Sequence, residues 1–186
     1  LATITKTLSK DMDKLFISSV MDTEHFAVYS NCAKELPFDF IVTSMLTVLI
    51  PFFTYYYAEK QWENGVKLIC DYIKFGYLTT GILIGATLIC STEVISFLYS
   101  DKYIDGKWIF IIYLIVDLLR FLDLSVVVNS AGLTKKIMIY NLLSLGINFI
   151  LNIIFYLIWG WYGPAIATVV SVLIKNIMVI REALRL

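Results

Sequence analysis

Charge is scarce in this sequence, and so are the residues that most often do chemistry. Of its 186 residues 16% are charged, three are cysteine, three are proline and one is histidine. An ordinary soluble domain carries about 25% charged residues. Cys32, Cys70 and Cys90 are widely spaced, odd in number and free of CxxC spacing, which argues against a disulfide framework or a zinc site. They read as small hydrophobes inside helices. No Cys/His cluster is available to hold a metal, and no cofactor is expected. HExxH, GxSxG, Walker-loop and GxGxxG patterns are all missing. Nothing positive therefore supports catalysis, and the chain is read as a non-enzyme. Basic and acidic residues balance at 15 each, so no basic face advertises nucleic acid as a partner.

What the chain has in abundance is apolar surface. Hydrophobic residues make up 59% of it, with a mean hydropathy of +0.79. They fall in blocks of about 20, the length a helix needs to cross a hydrocarbon core about 30 Å thick. The expected fold is all-α, a polytopic transmembrane bundle of about six helices, with the lipid bilayer as its solvent. The segments are expected at about 1–20, 25–57, 66–92, 107–129, 136–159 and 164–183. The second would be about 50 Å long if straight, at about 1.5 Å per residue. Pro37 and Pro51 lie within it, and each lacks an N–H and clashes with the preceding turn, so kinks or breaks are expected there. The turn Gly160-Trp161-Tyr162-Gly163-Pro164 separates the last two. Trp159 and Trp161 suit an interfacial belt, where an amphipathic ring is half wet. The chain opens Leu1-Ala2-Thr3, inside what reads as a helix, and is expected to be a piece of a longer protein.

Orientation follows from Lys and Arg in the short loops. Lys60, Lys67, Lys135, Lys136, Arg181 and Arg185 fall on one side, and Lys102 and Lys107 on the other. The first side is expected to be cytoplasmic, which puts the C-terminus inside and the Gly160–Pro164 turn outside.

The polar residues inside the apolar blocks are the candidate site. Asp117, Arg120 and Asp123 fall within an arc of about 120° on a helix advancing about 100° per residue, and Tyr113 joins that face. Each charge costs about 2.5–3.5 kcal/mol at a helix centre, so three facing lipid would cost about 8–10 kcal/mol. They are expected to point into the bundle or a wet cavity. Either an Asp–Arg pair locks the packing, or the guanidinium is presented to a phosphate or sugar while the carboxylates hold it or take a proton. Asn141, Ser144, Asn148 and Asn152 sit at offsets 0, 3, 7 and 11 on the fifth segment, an arc of about 80°. Such a stripe glues helices together or lines a polar path. On the sixth segment Thr168, Ser171 and Lys175 share a face, with Lys175 placed to snorkel towards the inner surface. In the first segments Asp13, Lys14, Glu35 and Asp39 are candidates. Glu35 and Asp39 flank Pro37, where a broken helix can expose backbone to a cavity. His25 sits beside a polar turn and reads as a surface residue.

The order of these features resembles a known family. Asp13-Lys14-Leu15-Phe16-Ile17 followed by Ala27-Val28-Tyr29 resembles the "D-K/R-hydrophobic … G-x-Y" opening of the second half of polysaccharide-export flippases. These belong to the MATE-like multidrug, oligosaccharidyl-lipid and polysaccharide exporter superfamily. Ile50-Pro51, Phe97-Leu98-Tyr99 with Tyr103, and Ala131-Gly132-Leu133-Thr134-Lys135-Lys136 fit the same pattern. So does Asn148…Asn152…Trp159 through Thr168, which resembles the family's "N-x3-N … G-x-x-G-A-A-x-A-T" ending. Ala27 stands where the family usually has Gly, and Pro164 where it often has Ala.

The resemblance implies the second lobe of a two-lobed carrier in the bacterial inner membrane, multi-pass, moving undecaprenyl-pyrophosphate-linked oligosaccharide by alternating access. Polysaccharide polymerase machinery is a further candidate partner. In that reading Lys14, Arg120 and Lys175 neutralise the pyrophosphate, Asn141, Asn148 and Asn152 meet sugar hydroxyls, and Asp39, Asp117 or Asp123 takes the coupling ion. The competing readings are a cation-coupled small-molecule antiporter on the same fold and a membrane-embedded sugar polymerase or transferase. The last would need a large extracytoplasmic loop, and the longest outward one, around 100–107, is short.

Overall fold

The computed structural model describes residues 2–34, 36 and 38–185, with side chains described for 11–34, 36, 40, 41 and 44–185. Among them there is no strand. The helices are α1 Ala2–Val20, α2 Thr23–Cys32, α3 Phe38–Ala58, α4 Trp62–Ile89, α5 Ser91–Tyr99, α6 Lys107–Leu119, α7 Ser125–Ser130, α8 Thr134–Trp159 and α9 Gly163–Ala183. Short 3-10 turns at Asp101–Gly106, Arg120–Leu122 and Gly160–Tyr162 join some of them. The fifth and sixth expected segments match α8 and α9 closely, and the third matches α4.

Two expected segments are interrupted. The one over 25–57 divides into α2, ending at Cys32, and α3, beginning at Phe38, and the helix runs on unbroken through Pro51; Pro37 itself lies outside the described residues. The one over 107–129 divides into α6 and α7, although no proline or glycine lies there. Asp123 supplies the physical reason. Its backbone leaves the helical region at ψ 88°, and its Oδ1 accepts the Ser125 N–H at 3.1 Å and the Ser125 hydroxyl. A short acidic side chain bonded to backbone two residues on competes with the helical ladder and ends it.

The turn between α8 and α9 is tight for two reasons that both involve glycine. Gly160 adopts φ 59°, ψ −140°, a region that residues with a Cβ avoid. A Cβ on Gly163 would strike the Phe155 backbone. The two helices then run back antiparallel, so that Asn148 meets Thr168 and Lys136 meets Glu182. This hairpin packs on α1 and α6. The largest core, built from Ile17, Tyr29, Ile95, Phe110, Leu114 and Ala165 among others, lies between α1, α2, α5, α6 and α9.

The loops sort into two ends. Trp62, Val127, Ser130 and Leu184 line one cavity of about 310 Å³, and the Lys136–Glu182 contact lies at the same end. Lys60, Lys67, Lys135, Arg181 and Arg185 adjoin these residues in the chain. Glu24, Lys102 and Trp161 line a second cavity, beyond the far end of α8.

Among the described residues, two stretches are long and apolar enough to cross a membrane: α4, with a mean hydropathy of 1.3, and the run Thr134–Ala183, with 2.0, which the turn folds into α8 and α9. Only 22% and 17% of their most apolar windows are buried. Ile89, Phe97 and Leu157 are each more than 80% exposed.

The second core shows how close the elements come. A Cβ on Gly76 of α4 would collide with the Phe121 ring, which also packs on Tyr72 and Tyr77. Gly76→Ala is expected to destabilise the purified protein by about 1–3 kcal/mol, whereas Gly81→Ala, which meets nothing within 4 Å, should not. Equal unfolding midpoints for the two variants would refute that packing.

The start of α2 yields a pH prediction. Asp22 caps the helix, accepting the His25 N–H at 2.9 Å. Its carboxyl lies below the ordinary carboxylate range, first because of that backbone bond and then because of the His25 ring. A lowered folded value stabilises the helix start above the usual range, and the contribution is lost as pH falls through the folded value. Amide exchange at His25, corrected for intrinsic rate, should therefore accelerate on acidification, and Asp22→Ala should abolish the dependence.

Candidate functional site

The two interrupted helices meet at their breaks. The Leu36 N–H, in the α2–α3 connection, points to Asp117 Oδ2 at 3.3 Å. Asp117 is 2% exposed and sits near the end of α6. Its Oδ1 lies 3.7 Å from Arg120 Nε. Three residues further on, Asp123 Oδ2 is paired with Lys175 Nζ of α9 at 2.7 Å. Asn176, next to Lys175, donates its Nδ2 to the Leu119 carbonyl at 2.7 Å.

Each of these contacts answers a local need. A break releases backbone N–H and C=O groups from the helical ladder, and in an apolar surrounding each must find a partner within the protein. Leu36 N–H, Leu119 C=O and Ser125 N–H find Asp117, Asn176 and Asp123. Arg120 and Lys175 then balance the two carboxylates. The arrangement holds two carboxylates, a guanidinium and an ammonium around the α6–α7 break. Chemically it is a site where an anion can exchange places with a carboxylate that has other donors to keep it.

Asp117, Arg120, Asp123 and Lys175 are thus brought together. Lys175 is ion-paired inside the bundle rather than snorkelling. The asparagine stripe goes elsewhere, into the α8–α9 seam. Asn148 Nδ2 donates to Ser171 Oγ at 3.0 Å and Thr168 Oγ1 at 3.4 Å, and Asn152 Nδ2 donates to Asn148 Oδ1 at 3.1 Å. Ser144 bonds the Ser171 carbonyl at 3.2 Å, and Asn141 is buried on the same stripe. Interhelix glue describes these contacts, although Asn152 Oδ1 and Asn176 Oδ1 accept no hydrogen bond among the described residues. Lys14 pairs with Asp11 on its own helix at 2.8 Å, and no contact joins it to Arg120 or Lys175. Glu35 and the Asp39 side chain lie outside the described residues.

Two further clusters were not anticipated as units. Asp13, 1% exposed, accepts hydrogen bonds from Tyr29, at 2.7 Å, and from Tyr113. Its partners lie 16 and 100 residues away, so no spacing rule could join them. At the basic end Glu182 accepts from Lys136 at 2.5 Å and from Tyr140 at 2.9 Å. A signal existed for that pair, since the turn at Gly160–Pro164 sets the hairpin register. Among the described residues, no three His, Cys, Asp or Glu side chains gather so as to hold a metal ion.

Comparison with protein-family models, with curated proteins and with solved structures finds no match. Function is therefore read from this chain's own residues.

The Asp123–Lys175 pair can be tested alone. Asp123→Asn strands Lys175 and should lower stability by about 1–3 kcal/mol. Adding Lys175→Met should recover part of the loss, because removing both charges is milder than stranding one. Additive losses in thermal unfolding would show that the two groups do not act as a pair.

Proposed function

We propose that this chain is one lobe of a polytopic carrier in the bacterial inner membrane, with its C-terminus in the cytoplasm. Its cargo is an undecaprenyl-pyrophosphate-linked oligosaccharide, flipped for assembly of a surface polysaccharide. The observation that carries the reading is the meeting of two interrupted helices at Leu36 and Asp117, with Arg120 and Lys175 beside them. Discontinuous helices that meet at mid-depth are where carriers place their substrate and ion sites.

The membrane setting is supported by apolar windows that stay largely exposed. A soluble protein's core helix of the same composition would be mostly buried. The basic residues gathered at one end support the orientation.

The mechanism follows from the charges. In the resting arrangement each cation is held by a carboxylate. An entering pyrophosphate competes for Arg120 and Lys175, whose planar and point charges suit phosphate oxygens. Asp117 keeps the Leu36 N–H, and Asp123 keeps Ser125. The lipid tail stays in the bilayer, because burying it in protein gains little over lipid. Rocking of this lobe against its counterpart then carries the head across. The lobe binds and moves its cargo and makes no covalent change to it.

One observation favours the runner-up, a cation-coupled small-molecule antiporter: Asp13 is buried and clasped by two tyrosines. A leaflet assay separates the two readings. In cells lacking the full-length protein, lipid-linked oligosaccharide should accumulate on the cytoplasmic face. Wild type should clear it and Arg120→Ala should fail to, by at least tenfold in rate, about 1.4 kcal/mol in the barrier. An unchanged distribution on deletion would reject the flippase reading and bring the antiporter forward.

A further inference from the structure

The end of the lobe away from the basic loops carries a cavity of different chemistry. The start of α2, the 3-10 turn Asp101–Gly106 and the 3-10 turn Gly160–Tyr162 enclose about 460 Å³ there. Trp161 and Tyr162 are half-buried and form an apolar floor, their ring centroids 5.3 Å apart at 58°. Glu24, His25, Lys102 and Asp105 are exposed and form a polar rim.

The floor is held in place from the side. The His25 ring stands edge-on to Trp161, 5.8 Å between centroids at 77°. Its Nδ1 is fixed by Asp22 at 2.8 Å, and Asp22 also caps α2. A packed aromatic presents its face without the entropic cost of ordering a mobile side chain.

The cavity has the size and character of a small-ligand site, an apolar and aromatic base with a few convergent polar groups, within the usual range of about 300–1,000 Å³. Its charge narrows the ligand. Two carboxylates face one ammonium, so a phosphate or pyrophosphate would meet net negative charge. A neutral molecule rich in hydroxyls finds acceptors in Glu24 and Asp105, a donor in Lys102, and a flat apolar face for the C–H side of a ring. That description fits a pyranose.

We propose that this cavity is a saccharide subsite, which holds a sugar ring of the cargo at the end where it leaves the carrier. The inference rests on the flippase reading for its place in transport, and on the cavity's own chemistry for its ligand. Phosphate recognition and sugar recognition are then divided along the lobe: cations at the helix breaks, aromatics and carboxylates at the release end.

Saturation-transfer NMR on the full-length protein in detergent tests the site. The probes are D-glucose, D-galactose and N-acetyl-D-glucosamine, with glycerol 1-phosphate as a lipid-headgroup mimic. Saturation should reach the ring protons of at least one sugar and fall several-fold in Trp161→Leu. The milder Asp105→Asn, at an exposed position, should weaken it too, which guards against a Trp161→Leu variant that fails to fold. Equal transfer in wild type and both variants would overturn the proposal. So would transfer to glycerol 1-phosphate alone, which would make Trp161 a membrane-interface anchor. The leaflet assay is a separate readout: its failure with sugar binding intact rejects the flippase reading and leaves a carbohydrate-binding surface.

Discussion

A backbone amide that leaves a helix in apolar surroundings has nowhere to go but another part of the protein, and the packing around the two helix breaks is arranged to meet that constraint. Leu36 N–H reaches Asp117, the Leu119 carbonyl receives Asn176, and Ser125 N–H returns to Asp123. An uncompensated buried amide costs several kcal/mol. The polar residues at the breaks are therefore needed before any ligand is considered. Once two carboxylates are fixed for this purpose, charge balance calls for cations, and Arg120 and Lys175 supply them. In the proposed reading structural need and anion binding share the same atoms, so mutation at the site should move stability as well as any transport.

The asparagine stripe makes an instructive contrast. It has the same helical spacing as a polar path, yet it faces α9 and bonds Thr168 and Ser171. The difference lies in what the groups satisfy. In the seam Asn148 and Ser144 bond groups of α9 and hold two helices together. Carboxylates at the breaks satisfy backbone and are paired with cations.

Much of the fold was legible in the residues. The apolar blocks, the Gly-Trp-Tyr-Gly-Pro turn and Pro37 located α4, α8, α9 and the first break, because each acts through local geometry. The second break was missed because neither proline nor glycine marks it. Asp123-Leu124-Ser125 was the available signal, an acidic side chain two residues ahead of a free N–H. Periodicity grouped Asp117, Arg120 and Asp123 on one face of a continuous helix, whereas the helix ends at Leu119 before Arg120 and Asp123; Lys175 was placed on a polar face of α9. Their pairing was not visible, since it depends on how α9 crosses the α6–α7 break. Asp13 with Tyr29 and Tyr113 lay beyond any local rule, being assembled from three helices.

The α8–α9 hairpin has a consequence for the order of assembly. Its seam is satisfied from within, by residues close in sequence, and contacts of that kind form early because little chain must be ordered first. The α6–α7 break is different: its carbonyl partner, Asn176, and its counter-charge, Lys175, both arrive on α9, which is synthesised later. Until α9 docks, Asp123 lacks its Lys175 partner and the Leu119 carbonyl lacks Asn176. The hairpin thus finishes a site begun some fifty residues upstream, a separation set by the Asp123–Lys175 pair, and a chain cut short before α9 would carry its central defect unrepaired.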